Sequence, residues 1–191
     1  PATITITING ANDAPVATDV AVSGGEDDAA ISGSVSATDV DVEPLTYSVS
    51  GATPAGLNFN SDGTFSYTPQ AVDQALDDGE SRQVTFQYVA NDGSANSAAQ
   101  TVTMTINGAN DVPVGVAGAM SGTEDDVTIA DSVAASDVDN DPLTYTIFGT
   151  TPAGLTLNSN GQFSYDLLAA DQVLDDGESR QVTFQYVAND G

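Results

Sequence analysis

The sequence predicts an all-β protein made of tandem β-sandwiches, and three observations carry this prediction. Apolar residues alternate with polar ones in short runs, which is the period of a half-buried strand. Glycine, proline, asparagine and aspartate bound each run, as they do in the turns of a sandwich. The whole pattern then occurs a second time along the 191 residues, which indicates a repeated module.

The repeat has a period of 98 residues, the separation of Asn9 from Asn107. TITINGAND at 5–13 recurs as TMTINGAND at 103–111, and LDDGESRQVTFQYVANDG occurs twice, letter for letter. The offset holds without a gap to Gly191, so the two copies are aligned throughout.

The repeat also sets the expected domain boundaries. Residues 3–9 match 101–107, so the segment 1–10 is expected to be the closing strand of a preceding module. Module 2 would then lack its own last strand, unless the N-terminal strand of this or a neighbouring chain fills the gap. Because the sequence begins with Pro1 rather than Met, we expect it to be an interior piece of a longer protein. Module 1 is expected at 11–108 and module 2 at 109–191.

Seven strands are expected in each module. Val84, Phe86 and Tyr88, for example, alternate with polar residues, as the inward positions of a strand do. Seven short antiparallel strands in one module indicate an immunoglobulin-like Greek-key sandwich. In module 1 the strands are expected near 16–22, 30–36, 45–50, 56–60, 64–68, 83–91 and 99–107.

Two connections carry signals of their own. Asn60-Ser61-Asp62-Gly63 separates two strands and predicts a hairpin turn, and its copy ends in Asn160-Gly161, a strong hairpin signal. The apolar residues at 71, 72, 75 and 76 have helical spacing. One short helix is therefore expected in the crossover before the sixth strand.

Composition excludes several classes of function. The chain has 28 Asp and Glu against 2 Lys and Arg, a net charge of −26, so binding to nucleic acid or anionic membranes is excluded. With no His and no Cys it offers no Ser-His-Asp or Cys-His nucleophile and no ordinary zinc or haem site. The metals suited to such a chain are hard, oxygen-seeking cations, above all calcium. No stretch is long and apolar enough to insert in a membrane, and no signal peptide is visible.

The acidic residues are clustered rather than spread. None lies in 44–61, 93–110 or 142–165. Groups of acidic residues such as Asp39-Val40-Asp41-Val42-Glu43 lie instead at predicted strand ends and turns. A solvated acidic coat is the alternative interpretation, but it would cover the outward faces of the strands. Crowded carboxylates repel unless a cation lies between them, so the clustering favours calcium sites.

Other polar and aromatic residues have simpler interpretations. The only two cations, Arg82 and Arg180, are expected in local structural ion pairs, and Asp73 and Asp171 as caps or exposed residues. The tyrosines are expected in the core rather than on a sugar-binding platform. Carboxylate pairs could in principle hydrolyse glycosides, but an enzyme would rarely duplicate its site at every linker, so no enzymatic activity is expected.

Several motifs resemble cadherins. ATDVDVEPLTYSVSG at 37–51 is similar to the cadherin D-x-D calcium loop and the strand that follows it. YVANDG at 88–93 resembles V-x-A-x-D-x-G, and INGANDVP at 106–113 resembles the cadherin linker. Glu26 stands where a cadherin has its linker-facing glutamate, and LDDGE at 76–80 resembles the L-D-R-E loop. The order of the motifs is closer still to bacterial cadherin-like repeats of the VCBS type, found in tandem in large secreted adhesins of the RTX type.

The resemblance implies a set of Ca²⁺ ligands, residue by residue. At the one complete junction it implies Glu26, Asp78, Glu80, Asn110, Asp111, Asp137, Asp139 and Asp190. At the two half-sites it implies Asn12, Asp13, Asp39, Asp41 and Asp92 at one end and Glu124, Asp176 and Glu178 at the other.

The resemblance also implies a function. It indicates a calcium-rigidified extender in a large adhesin at the bacterial surface, extracellular and active in cell adhesion or biofilm formation. Its partners would be the neighbouring modules of the same chain. The alternative is a calcium-dependent binding module for polysaccharide or for like modules on another cell.

Overall fold

A computed structural model describes the protein over all 191 residues, Pro1 to Gly191. It divides into two compact units, Pro1–Ala109 and Asn110–Gly191, called here unit 1 and unit 2. Both consist of β-strands and turns, and neither contains a helix. The predicted all-β, immunoglobulin-like class is confirmed, whereas the predicted short helix is wrong.

Unit 1 has nine strands, because the first predicted strand is divided in two and a further short strand, Ala37–Thr38, follows the second. The division follows from one side chain, Tyr88, which is fully buried. Its hydroxyl oxygen lies 2.6 Å from the carbonyl oxygen of Thr18 and 3.0 Å from that of Ser36, and it accepts a bond from the Thr18 N–H. These backbone groups are thereby withdrawn from the strand ladders. The strands are β1 (Val16–Ala17), β2 (Val20–Gly25), β3 (Ile31–Ser34), β4 (Ala37–Thr38), β5 (Thr46–Ser50), β6 (Leu57–Phe59), β7 (Thr64–Tyr67), β8 (Ser81–Asn91) and β9 (Gln100–Asn107).

The strands of unit 1 form two main sheets and a small ribbon. The four-stranded sheet has the order β2-β9-β8-β5, the three-stranded sheet has the order β3-β7-β6, and β1 pairs with β4. β2 runs parallel to β9, and all other pairs are antiparallel. The interior strand β9 therefore has a neighbour on both sides, β2 and β8.

The core of unit 1 lies between the two main sheets. Alternate residues of β8 and β9 point inward and meet residues of β3 and β7, as the period of two predicts. The rings of Phe65 and Phe86, from opposite sheets, meet edge to face at 5.5 Å. Burying each such side chain contributes about 1.5–3 kcal/mol. The best-buried members are Tyr67, Tyr88, Val102, Met104 and Ile106.

The expected helix at 71–76 is a single hydrogen-bonded turn. Asp73 N–H donates to the carbonyl oxygen of Gln70 at 2.8 Å, and Gln70 N–H donates in turn to Asp73 Oδ2 at 2.7 Å. The following Asp77-Asp78-Gly79 forms another turn, with φ of 83° at Gly79. A left-handed residue three positions after the apolar group is typical of a chain that does not continue as a helix. The hairpin turn at 60–63 is confirmed, since Gly63 N–H donates to the carbonyl oxygen of Asn60 at 3.0 Å.

Unit 2 has seven strands in three small sheets. Residues 118–123, the counterpart of β2, and 179–184, the counterpart of the first part of β8, lie outside any strand. Fewer apolar residues are buried than in unit 1; only Leu155 and Tyr165 are nearly inaccessible. The strands are β10 (Val114–Val116), β11 (Thr128–Ser132), β12 (Ala134–Ser136), β13 (Thr144–Phe148), β14 (Leu155–Leu157), β15 (Gln162–Asp166) and β16 (Gln185–Asn189), in the orders β10-β12, β11-β15-β14 and β13-β16.

Candidate metal centre

One acidic cluster of unit 1 gathers around the loop that follows β4. Asp13 N–H donates to Asp41 Oδ2 at 2.7 Å, and Asp41 N–H donates to Asp39 Oδ1 at 2.9 Å. Asn12 Nδ2 donates to Asp92 Oδ2 at 3.1 Å. The structure thus brings all five predicted residues of this half-site together. We call this group the D-x-D cluster of unit 1.

The D-x-D cluster of unit 1 brings carboxylates together without a positive charge to balance them. Asp39, Asp41 and Glu43 place carboxylate oxygens within 4.8 Å of one another. The Oδ2 atom of Asp39 is buried and accepts no hydrogen bond. A buried carboxylate oxygen without a partner is costly, and a cation would satisfy it. The donors are all oxygens, which is the donor set that calcium prefers, so these residues fit a calcium ion.

The backbone of the loop explains how Glu43 joins the cluster. Val42 has φ of 65°, a left-handed conformation that reverses the chain directly after Asp41. The reversal turns Glu43 back toward Asp39, so a residue outside the implied ligand set is placed among the carboxylates. The alternating spacing of acids at 39, 41 and 43 was the signal for it, but that spacing on a straight strand would not predict the turn.

Unit 2 contains the same arrangement 98 residues later. Asp111 N–H donates to Asp139 Oδ2 at 2.7 Å, and Asp139 N–H donates to Asp137 Oδ1 at 3.0 Å. Asn110 Nδ2 donates to Asp190 Oδ2 at 3.1 Å. Asp137 Oδ2 is buried without a hydrogen bond, as Asp39 Oδ2 is in unit 1, and Asp139 Oδ1 is another such atom. The buried carboxylate oxygen without a hydrogen bond therefore recurs with the local sequence. We call these five residues of unit 2 the D-x-D cluster of unit 2.

Asp92 also has a structural role within the first cluster. Its Oδ1 accepts bonds from the N–H groups of Ser94 and Ala95, at 2.6 and 2.7 Å. The bonds from Ala95 and Ser94, with a smaller one from Asn12, lower the pKa of Asp92 against the opposing effect of burial. Asp92 therefore stays ionised and shapes its loop while its Oδ2 faces Asn12.

The other predicted half of unit 1 is centred on Glu26, which is 1% exposed. Its Oε1 accepts from Ala109 N–H at 2.7 Å and its Oε2 from Leu76 N–H at 3.2 Å. Glu26 thus ties the end of unit 1 to the loop before β8. Asp78 and Glu80 lie in that loop, held by its backbone turn, and no hydrogen bond connects their side chains to Glu26.

The corresponding residues of unit 2 are less enclosed. Glu124 Oε2 is buried without a hydrogen bond, so this position too has an unmet carboxylate oxygen. Glu178 Oε2 accepts from Asp175 N–H at 3.1 Å, and Asp176 N–H donates to Asp175 Oδ1 at 2.9 Å. The structure therefore places Asp176 and Glu178 in one turn, but it joins neither of them to Glu124 by a hydrogen bond.

The two cationic side chains of the protein form ion pairs outside these clusters. Arg82 forms an ion pair with Asp73, and Arg180 forms one with Asp171, so the predicted structural ion pairs are confirmed. Asp73 also accepts a bond from the Tyr67 hydroxyl at 2.7 Å and is fully buried. Burial raises the pKa of Asp73, but the bonds from Gln70, Tyr67 and Arg82 outweigh it and lower the pKa overall. Since the chain has no other Lys, Arg or His, no side-chain cation balances the D-x-D clusters.

The tyrosines give no aromatic platform in unit 1. Tyr67 and Tyr88 are almost fully buried, and Tyr47 packs against the core with its hydroxyl bound to Ala37 N–H at 3.2 Å. The prediction that they belong to the core is confirmed for this unit. The alternative of polysaccharide binding through stacked tyrosines has no support from these residues.

Solved structures with the same fold include cadherin fragments. Human protocadherin-24 EC1-2 matches in two crystal forms at 19% identity, with TM-scores of 0.55 and 0.50. The first match covers 93% of this chain and 94% of that chain, and the second covers 94% of each. Human CDH23 EC21-23 matches at 15% identity and a TM-score of 0.52, over 92% of this chain and 63% of that chain. At these identities the matches show the fold alone.

Family models cover nearly the whole chain. A bacterial Ig domain matches residues 110–191, and a bacterial cadherin-like domain matches residues 12–108, just over half of the chain. A search of the curated proteins finds no match. No helix of the structure has the length and apolar character of a membrane span. Such domains are structural, non-enzymatic modules of the adhesion type and are typically extracellular. The chain belongs to the bacterial cadherin-like domain family.

Proposed function

We propose that this chain is a calcium-stiffened extender of a large bacterial surface or secreted adhesin. The observation that carries the proposal is the buried, unbonded carboxylate oxygen of Asp39 and of its counterpart Asp137. Each lies in a crowded acidic cluster that no side-chain cation of the protein balances. Cadherin-like domains generally bind Ca²⁺ at the linkers between domains, which supports the same assignment.

The proposed ligands fall into groups by their place in the two units. Glu43, which the structure brings to Asp39 and Asp41, is added to the set. Bound calcium would supply positive charge that cancels the repulsion among carboxylates and meets their unbonded oxygens. The D-x-D clusters would contribute Asn12, Asp13, Asp39, Asp41, Asp92, Asn110, Asp111, Asp137, Asp139 and Asp190, and the opposite ends would contribute Glu26, Asp78, Glu80, Glu124, Asp176 and Glu178.

The residues themselves explain why stiffness would depend on calcium. Asn110 and Asp111 come directly after Ala109, whose N–H is held by Glu26, so linker and ligands are one short segment. Uncompensated carboxylates in such a segment repel and favour extended, variable conformations. With the charges neutralised, the modules on either side would be held in one arrangement, as a stalk requires.

Calcium should therefore both bind and stabilise. Dissociation constants of order 10⁻⁴–10⁻³ M are typical of extracellular modules. A ligand that binds only the folded state at a hundredfold excess over its dissociation constant stabilises by about 2.7 kcal/mol. We expect the melting temperature and the rigidity of the chain to rise together in millimolar calcium.

The test compares two double variants with the same net charge. Asp137→Asn with Asp139→Asn removes two charges from a D-x-D cluster but keeps an oxygen for the loop hydrogen bonds. The control, Asp62→Asn with Asp131→Asn, removes two charges elsewhere, and position 62 already has Asn as its counterpart, Asn160.

Calorimetry gives the calcium affinity, and small-angle scattering in EDTA and in calcium gives the flexibility. The cluster variant should lose affinity at one class of site by at least about tenfold and stay flexible in calcium, whereas the control should match the parent chain. Equal behaviour of the two variants, or no change in scattering on adding calcium to the parent chain, would contradict the proposal. Calcium-dependent self-association or retention on insoluble polysaccharide would instead favour the binding-module alternative.

A further inference from the structure

The four-stranded sheet of unit 1 has an outer face without charged side chains. On β9 the outward residues include Thr101, Thr103 and Thr105, and β2 and β5 add only alanine, glycine, serine and threonine. The one charged residue in these four strands, Arg82, lies at a core-facing position of β8 and pairs with Asp73. The outward residues of β8 are Ser81, Gln83, Thr85, Gln87, Val89 and Asn91. We call this surface the neutral face.

The neutral face contrasts with the rest of a protein whose net charge is −26. Carboxylates lie at the ends of its strands instead. Asp19 Oδ1 accepts from Thr101 N–H at 2.8 Å, and Asp28 Oδ2 accepts from Gly25 N–H at 2.8 Å. The sequence of β8 recurs letter for letter at 179–189, and the counterparts of the outward residues of β2 and β5 are also uncharged. The lack of charge is therefore a property of the repeated module.

The side chains of the neutral face are chemically complementary to themselves. The amides of Gln and Asn and the hydroxyls of Ser and Thr both donate and accept hydrogen bonds, whereas a carboxylate only accepts. Two copies of such a face can bond each other, while two acidic surfaces repel. The outer face of the three-stranded sheet is uncharged as well, but its strands have only three or four residues. The neutral face is thus the largest surface on which two copies of unit 1 can meet without facing carboxylates.

We propose that two copies of this chain associate side by side through their neutral faces. The same surface is used on both copies, so the contact is isologous and closes as a pair. With strands about 4.8 Å apart and a rise of about 3.3 Å per residue, the face measures about 20 Å by about 25 Å. Two such faces bury on the order of 1,000 Å² in total, at the low end for specific contacts, so the association is weak.

This inference goes beyond the proposed function, because it concerns a sheet face rather than the calcium sites. The contact uses no charged group and needs no calcium. Screening should strengthen it, since the acidic residues at the rim and elsewhere on the two copies repel. Association in EDTA that increases with salt is therefore its signature, and the result stands apart from any effect of calcium on stiffness.

The first experiment measures the mass of the parent chain against concentration in EDTA, by sedimentation equilibrium. The mass should rise above 19.3 kDa with concentration. The rise should be larger in about 0.5 M NaCl than in about 0.05 M NaCl, because the Debye length is shorter at the higher ionic strength.

A matched pair of variants locates the contact. Gln87 lies opposite Thr101 on β9 and Ser50 on β5, in the interior of the neutral face. Gln87→Glu should weaken the association by at least about tenfold, since both copies would bring a carboxylate into one interface. Asn58→Asp, on the outer face of the other sheet, adds the same charge and should match the parent chain. Each change replaces an exposed amide by a carboxylate of the same shape, so both variants should keep the melting temperature of the parent.

Chemical cross-linking gives a second measurement of the same contact. The chain has no cysteine, so Thr85→Cys introduces a single reactive thiol on the neutral face. Stacked sheets are separated by about 10 Å, a distance that a short bismaleimide spans. In EDTA and about 0.5 M NaCl, Thr85→Cys should give covalent dimers, whereas Asn58→Cys should give few.

Three outcomes would overturn the proposal. One is a mass of 19.3 kDa at every concentration and salt level. Another is the same association for Gln87→Glu and Asn58→Asp, or the same yield of dimers for Thr85→Cys and Asn58→Cys. The third is retention on a neutral polysaccharide that Gln87→Glu abolishes in a chain that does not self-associate, which would assign the face to a ligand of another class.

Discussion

The left-handed conformation of Val42 gives a sharp prediction about stability. Val42 has φ of 65° and is 84% exposed, and its counterpart in unit 2, Asn140, has φ of 64°. A residue with a Cβ in this region costs roughly 1–2 kcal/mol, whereas asparagine is tolerated there. Because the valine side chain is exposed, little packing is lost on its replacement. Val42→Asn should therefore stabilise unit 1 by about 1 kcal/mol.

Calorimetric melting in EDTA measures this effect without calcium binding. For a unit of about 100 residues, about 1 kcal/mol corresponds to a rise of about 4–8 °C in the melting temperature of its transition. The reciprocal change, Asn140→Val, should lower the transition of unit 2 by a similar amount. Val40→Asn is the control, since Val40 is 78% exposed and has no left-handed backbone. A melting temperature of Val42→Asn no higher than that of Val40→Asn would contradict this prediction.

Three further changes test other contacts. Tyr88→Phe removes the hydroxyl that holds Thr18 and Ser36 and should lower the urea midpoint by the equivalent of about 1–3 kcal/mol. Gly108→Ala should destabilise unit 1 by about 1–3 kcal/mol in the same assay, because a Cβ there would lie 2.3 Å from backbone oxygens. Gly10→Ala is the control and should be neutral, since a Cβ at that position would have no atom within 4 Å. The pKa of Asp73 is lowered by folding, so its contribution to stability is present above the unfolded value of about 3.9 and is lost as the pH falls through the folded value. Unfolding measured from pH 7 down to pH 3 should show this loss, and Asp73→Asn should reduce the slope.

Local patterns predicted most of the strands. The alternation in β5 to β9 is strong and each run is bounded by turn residues, so their positions follow from the sequence alone. The division of the first predicted strand depends on the hydroxyl of Tyr88, which is 70 residues from Thr18 in the sequence. No local period can show a contact of that separation.

In the candidate site, too, local features were predicted and long-range contacts were not. The resemblance to cadherins implied the distant members of each D-x-D cluster. The motif spacing predicted only that Asp39 lies beside Asp41 and Asp137 beside Asp139, because neighbours at i and i+2 are fixed by the loop itself. It did not predict that both oxygens of Glu26 accept backbone N–H groups, since their donors, Leu76 and Ala109, are distant in sequence. The helical spacing at 71–76 failed for a similar reason. Buried Asp73 bonds Arg82 and Tyr67, and these long-range contacts outweigh a weak local preference.

The parallel pairing of β2 with β9 has a mechanical consequence. β2 is near the start of unit 1 and β9 near its end, and six residue pairs join them, from Val20 with Val102 to Gly25 with Asn107. A pulling force transmitted along the polypeptide draws two parallel strands past each other in opposite directions. The hydrogen bonds between the two strands then bear the force together, in shear, instead of breaking one after another. A module with this topology therefore resists being stretched from its two ends.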